Sequence, residues 1–207
     1  PSTDPFSLMA GKTSCHTGWL KSAGMLLPMG FLIGNGYANV IGDANDVESL
    51  RTTITNFFNE DASIPDSGTP YYSYSGAVKC LSEGVGDVAF AKDSTISAYC
   101  GNEDASTNED WCLAESDYIL LPSYGNAPSH PVMYNPQTSD SVTMNLVQAA
   151  LVDMVNTDEG KSILENVLNT PAISATTATE HLASYGNLIE DVPGISSYFD
   201  SKYEITE

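Results

Sequence analysis

The sequence predicts an α/β fold with a mixed or parallel sheet. Two observations lead there. Stretches with apolar residues at helical spacing alternate with short apolar runs bounded by turn residues. Apolar residues also make up 42% of the 207 residues, enough to line a real core. Residues 18–33 read as a helix, interrupted by Pro28 and closed by Gly-Asn-Gly. Residues 45–60 place Val47, Leu50, Ile54, Phe57 and Phe58 on one helical face. Asn45 with Glu48 has the order of a capping box there. A loop with Pro65, Gly68 and Pro70 leads to a second helix over 75–83. Residues 86–91 (GDVAFA), 118–122 (YILLP) and 130–134 (HPVMY) read as short buried strands. Residues 140–156 and 158–168 read as helices, and beyond Pro171 the signals weaken. The one sharp shift in composition, near Pro131–Asp140, marks a domain boundary.

Charge narrows the function. There are 27 acidic against 7 basic residues, a net charge of −20. Nucleic acid and anionic membranes need a basic patch, so both are expected to be poor partners. The acids are scattered and do not form one tail. Such a surface suits a protein kept soluble in high salt, or one that is simply strongly acidic. No apolar run reaches membrane-spanning length. The chain begins at Pro1 without a signal peptide, which reads as a processed product or a piece of something longer. The four cysteines, Cys15, Cys80, Cys100 and Cys112, contain no C-x-x-C and match no zinc spacing. Two disulfides in an oxidising, extracellular or cell-surface setting are expected.

The stretch GKTSCHTGWLKSAGMLLPMG, residues 11–30, crowds polar groups at the mouth of an apolar helix. A helix N-terminus offers unpaired amides and the positive end of a dipole, a natural anion seat. Thr17 adds a hydroxyl, Gly18 a close backbone approach and Lys21 a cation, while Ala23 and Gly24 leave room near the amides. In the plainer reading Thr17 only caps the helix, Lys21 is solvated, and Ala23 and Gly24 pack against a neighbour. YYSYSGAVKC places three tyrosines in four residues. A phenolate is a hard anionic ligand suited to Fe(III), although tyrosines more commonly fill cores and turns. His130 sits between Ser129 and Pro131 at the entry to an expected strand. A lone histidine is more often a surface or core residue than a ligand.

Enzyme chemistry finds no support. There is no G-x-S-x-G, no H-E-x-x-H and no P-loop. Cys15 and His16 are adjacent, but sequence neighbours seldom meet in catalytic geometry. Glu103–Asp104 and Glu109–Asp110 read as solvated loop charges.

Taken together, GKTSCHTGWLKSAGMLLPMG, YYSYSGAVKCL, GDVAFAKDSTI and APSHPVMY follow the order and spacing of one transferrin lobe. The resemblance covers residues 11–134 well and continues loosely through ILENVL and SSYFDSKYEI. It implies two α/β domains around a cleft, similar to periplasmic binding proteins, with flanking helices on a mixed sheet. Residues 1–133 would be the anion- and iron-binding second domain, and 134–207 the returning part of the first. Fe(III) would be held by an Asp, two Tyr and a His with a bridging carbonate. Tyr74 matches one tyrosine ligand and His130 the histidine. Thr17 matches the anion-binding threonine, and Ala23 and Gly24 the amides that hold carbonate or bicarbonate. The resemblance also implies a Cys15–Cys80 disulfide tying the seat to the Tyr74 segment, with Cys100 paired to Cys112.

The departures are specific. Lys21 stands where the family has an anion-binding arginine, which keeps the charge but loses the planar fork. The only arginine, Arg51, lies outside the motif. Positions matching the Asp and first Tyr ligands would precede Pro1, so a companion segment of the lobe, or other lobes of a parent protein, would be needed. Lys92 matches a lysine that in some lobes pairs with a second cleft base. The partner region here, TTATEHL, offers only His181. The expected function is extracellular Fe(III) binding with synergistic carbonate for iron uptake or transport, with a cell-surface receptor as possible partner. The alternative is a lobe that has lost iron and acts as a structural or interaction module.

Overall fold

The computed structural model describes residues 4–102, 105–168 and 170–203. The Glu103–Asp104 pair lies outside the described residues. The chain divides into two compact units, residues 1–127 with 184–207, and residues 128–183.

The first unit is organised on a small parallel sheet. Strand β1 (Ser14–Cys15) pairs with β2 (Val88–Ala89), Ser14 opposite Val88 and Cys15 opposite Ala89. Ser63 bridges the other edge of Cys15, and its amide donates to the Ser14 carbonyl at 2.7 Å. The parallel pairing requires a long crossover, and the intervening chain supplies three helices. After a π-helical turn at Ser22–Leu26, α1 (Leu27–Gly34) runs through the core. Met25, Leu26, Leu27, Met29 and Leu32 are all buried, so this helix is apolar nearly all round. Pro28 is the second residue of α1. Helix α2 (Ser49–Phe57) buries Leu50, Thr53 and Ile54 and turns Arg51 outward. Helix α3 (Ser73–Ser82) is fastened to β1 by the Cys15–Cys80 disulfide, and α4 (Thr95–Cys100) carries the Cys100–Cys112 disulfide.

The second unit is helical. Asp140 caps α5 (Ser141–Asp153), accepting from the Thr143 amide at 2.8 Å. Thr157 caps α6 (Asp158–Val167) through the Gly160 amide at 3.0 Å. Asp158 and Glu159 in its first turn complement the helix dipole. Leu164 is fully buried, but Val142, Leu146 and Val167 are each about two-thirds exposed or more.

The structure departs from the sequence reading in four places. The capping box at Asn45 and Glu48 does not form. Asp43 accepts from the Asn45 amide and Asp46 from the Glu48 amide, so aspartate turns occupy 43–48 and α2 starts at Ser49. Residues 118–122 and 130–134 carry no strand pairing, and Ile119 is 86% and Met133 81% exposed. A strand is stable only beside a partner, which local apolar patterning does not specify. Strand β1, unforeseen, is only two residues long. Two helices follow Pro171, α7 (Ala178–Ile189) and α8 (Ile195–Tyr203). The start of α7 holds a true capping box: Thr177 Oγ1 accepts from the Glu180 amide, and Glu180 accepts from the Thr177 amide at 3.1 Å.

In the first unit, the loop before α8 closes on the turn before α2. Gly194 has φ +61°, and its amide donates to the Ala44 carbonyl at 2.8 Å. A β-carbon there would meet the Val47 amide nitrogen, so only glycine fits.

Candidate anion and metal site

The predicted anion-seat residues and Tyr74 all belong to the first unit. The Thr17 carbonyl accepts from the Ser73 amide at 2.9 Å, which sets the start of α3 beside the loop that enters the π turn. Both the Met25 and Leu26 amides converge on the Lys21 carbonyl, at 2.9 and 3.0 Å. Met25 is therefore the first intrahelical donor, and the amides of Ser22, Ala23 and Gly24 before it form the open end of the helix. Short π turns of this kind recur at functional sites.

Thr17 packs against this end. Its side chain touches Gly24 so closely that any β-carbon at 24 would overlap it. Thr17 is 2% exposed, and its hydroxyl oxygen is buried without a hydrogen-bond partner among the described residues. Leaving a buried hydroxyl unpaired costs about 1–3 kcal/mol. An N-cap would have spent that hydroxyl on an amide; this one is unspent. Backbone strain lies in the same place. Leu20 (φ 54°) and Ser73 (φ 74°) are the only non-glycine residues with left-handed φ among those described, and they flank the site.

Lys21 is exposed, with its ammonium 5.3 Å from the centroid of the Tyr72 ring. A hydrogen bond from the ammonium, aided by its charge, holds the Tyr72 phenol below the ordinary tyrosine range. Tyr74 is 39% exposed, so its phenol is presented and not spent on the core. Arg51, outside the motif, stacks 3.8 Å over Trp19 and pairs with Glu48 at 3.1 Å, bracing the loop between Thr17 and Lys21.

Sequence reasoning set His16 aside, yet it pins the seat from below. Its Nδ1 lies 2.8 Å from the Gly24 carbonyl and its Nε2 3.0 Å from Ser14 Oγ. A carbonyl only accepts, so the neutral ring carries its proton on Nδ1 and takes one from Ser14. Phe90 stacks on it at 5.2 Å and Phe58 meets it edge-on at 5.9 Å. Burial depresses its pKa from 6.5 to about 4. The unfolded chain therefore binds a proton that the folded chain refuses as pH falls from 6.5 toward 4. Stability is complete above this window and lost through it. Between pH 6.5 and about pH 5, above the carboxylate range, His16 alone should remove about 2 kcal/mol. Urea unfolding at the two pH values checks this; equal stabilities would mean the ring charges in the folded state. Its neighbour Cys15 is consumed by the disulfide, which removes any thiol nucleophile.

The remaining candidates lie elsewhere. Lys92 is exposed at the turn into α4, where its carbonyl accepts from the Thr95 amide at 2.9 Å. Glu109 and Asp110 are exposed loop residues. His130 belongs to the second unit, exposed in a stretch without regular secondary structure. In that unit His181 donates from Nε2 to the Ser129 carbonyl at 2.8 Å. Among the described residues, no group of three or more His, Cys, Asp or Glu is placed to hold a metal ion. No described helix is long and apolar enough to cross a membrane.

The family model for transferrin matches residues 4–68 and 59–126. Human (Homo sapiens) lactotransferrin is 35% identical over 123 residues, covering 54% of this chain and 17% of that protein. Lactotransferrin of Camelus dromedarius is 30% identical over 206 residues, covering 94% of this chain and 26% of that protein. Serotransferrin of Paralichthys olivaceus is 31% identical over 143 residues, covering 60% of this chain and 21% of that protein. The chain thus spans about a quarter or less of the length of these relatives.

Proposed function

The chain belongs to the transferrin family, and from that premise we propose that it carries the anion seat and part of the ligand set of a ferric-ion-binding lobe. The observation that carries this reading is the buried, unpartnered Thr17 hydroxyl against the open π turn, with Lys21 and Tyr74 on adjoining segments. These groups suit carbonate: a hydroxyl donor, the Ala23 and Gly24 amides and one cation, all donating or positive. Bound there, carbonate would neutralise the seat and offer oxygens to the metal.

Fe(III) is the cargo. Tyr74 supplies a hard phenolate and His130 an imidazole, the donor classes such an ion takes. In this reading the family's Asp and first Tyr ligands would come from a companion segment. We read residues 1–133 as the second domain of the lobe and 134–207 as the returning part of the first, closing a cleft. The protein would act outside the cell, through binding and not catalysis, with a surface receptor as partner.

A visible absorbance titration with chelated Fe(III), with and without bicarbonate, tests this. A tyrosinate-to-iron charge-transfer band that requires bicarbonate is the expected result. A band indifferent to bicarbonate would overturn the anion seat. No band in either condition would favour the second reading, an interaction module without iron, for which Lys21 in place of the fork is the motivating change. Lys21→Arg should strengthen anion-assisted iron binding several-fold, because a bidentate fork grips a planar anion better than a point charge. Equal or weaker binding at fixed bicarbonate would place Lys21 outside the seat.

A further inference from the structure

Resting on the anion-seat reading above, we propose that Tyr185, near the far end of the chain, is a positioning residue of that seat. The open end of the π turn consists of Ser22, Ala23 and Gly24. Two of them are held through their carbonyls. His16 Nδ1 donates to the Gly24 carbonyl at 2.8 Å, and the Tyr124 hydroxyl donates to the Ala23 carbonyl at 3.4 Å. Ser22 is exposed and is held instead through its side chain. The Tyr185 hydroxyl donates to Ser22 Oγ at 2.9 Å, across 163 residues of sequence. Ser22 Oγ is the acceptor, so its own proton remains available as a donor.

Packing delivers this phenol. The end of α7, from Ser184 onward, belongs to the first unit. Tyr185, Leu188 and Ile189 share one face of the helix and pack against the core. The approach to α1 is close: a β-carbon at Gly30 would overlap the Leu188 carbonyl, and one at Gly34 the Asp191 carboxylate. Helix α1 continues directly from the π turn. A segment seated on α1 therefore sets its tyrosine against the start of the same helical run. The segment is already fastened by that packing, and the bond to Ser22 is exposed, so it adds little to stability. What it fixes is the residue that joins Lys21 to the Ala23 and Gly24 amides. Donors that must be ordered when an anion arrives cost affinity, and donors held beforehand do not.

The test needs no iron. The ¹⁵N-labelled chain is titrated with bicarbonate at fixed pH and ionic strength, following the Ala23 and Gly24 amides, and each variant is also unfolded in urea. Tyr185→Phe keeps the ring on the core and removes only the oxygen. It should weaken bicarbonate roughly two- to tenfold, the worth of one hydrogen bond, with the unfolding midpoint within error of the parent. Ser22→Ala should weaken it at least as much. Tyr185→Phe in the Ser22→Ala background should add nothing, because the phenol acts through Ser22. An unchanged affinity in Tyr185→Phe overturns the inference, as does a loss of equal size in both backgrounds. A lower midpoint that accompanies the lost affinity also overturns it, because the phenol would then serve the fold and not the seat. If the wild-type amides do not respond to bicarbonate at all, the anion seat itself falls, an outcome distinct from these.

Discussion

Tyr74→Phe is expected to abolish the iron charge-transfer band while leaving the far-UV circular dichroism and the unfolding midpoint within error of the parent. The band needs a phenolate, and phenylalanine offers none. The fold should not notice, because Tyr74 is 39% exposed at the second position of α3 and its hydroxyl makes no hydrogen bond among those described. The neighbours provide the control. Tyr71 donates to Glu83 at 2.9 Å, which pushes its phenol above the ordinary range. Tyr71→Phe should therefore leave the colour intact. A coloured Tyr74→Phe complex would refute the ligand assignment, and loss of colour in Tyr71→Phe would show that the wrong phenol had been chosen.

The second large effect is on stability. Replacing Cys15 and Cys80 together by serine should cost about 4 kcal/mol from the chain-entropy account of a long closed loop. That is a large share of an ordinary domain's stability and should lower Tm by about 10 °C. Sixty-five residues of sequence separate the pair. The Cys100–Cys112 bridge spans only 12, and its removal should cost less, about 3 kcal/mol. Calorimetry on both double variants decides the order. Equal losses, or a larger loss for the short loop, would mean that the long bridge does not organise β1 against α3. Bicarbonate binding should also suffer more from the first pair, because that bridge joins the chain just before Thr17 to the helix that begins beside Tyr74.

Helices α2, α3, α5 and α6 were legible because their signals are local. Apolar spacing, and for α5 and α6 a capping side chain within three residues, need no knowledge of the rest of the chain. Even here competition between local signals mattered. Asn45 and Glu48 have the order of a capping box, but Asp43 and Asp46 took the relevant amides first. The genuine box, Thr177 with Glu180, was present in TTATEHL and went unread because the surrounding periodicity is weak. Strands were the least legible. YILLP and HPVMY look like strands by composition, yet no partner pairs with them among the described residues. SC at 14–15 is too short to signal anything, yet it becomes the middle of the sheet because Ser63 and Val88–Ala89 come to its two sides.

What the sequence by itself determined is the family, the two disulfide pairs that the resemblance implies, and the residue types gathered at the seat: Thr17, Lys21, Ala23, Gly24 and Tyr74. These are matters of order and spacing along one chain. Only the tertiary structure decided that the Thr17 hydroxyl is buried and unspent, that His16 grips the Gly24 carbonyl, that Arg51 braces Trp19, and that the Lys21 ammonium lies by the Tyr72 ring. Each depends on groups brought together from separate segments, or on which of several acceptors a donor finally reaches. Burial, strain and hydrogen-bond choice are settled by packing, and packing is a property of the folded chain.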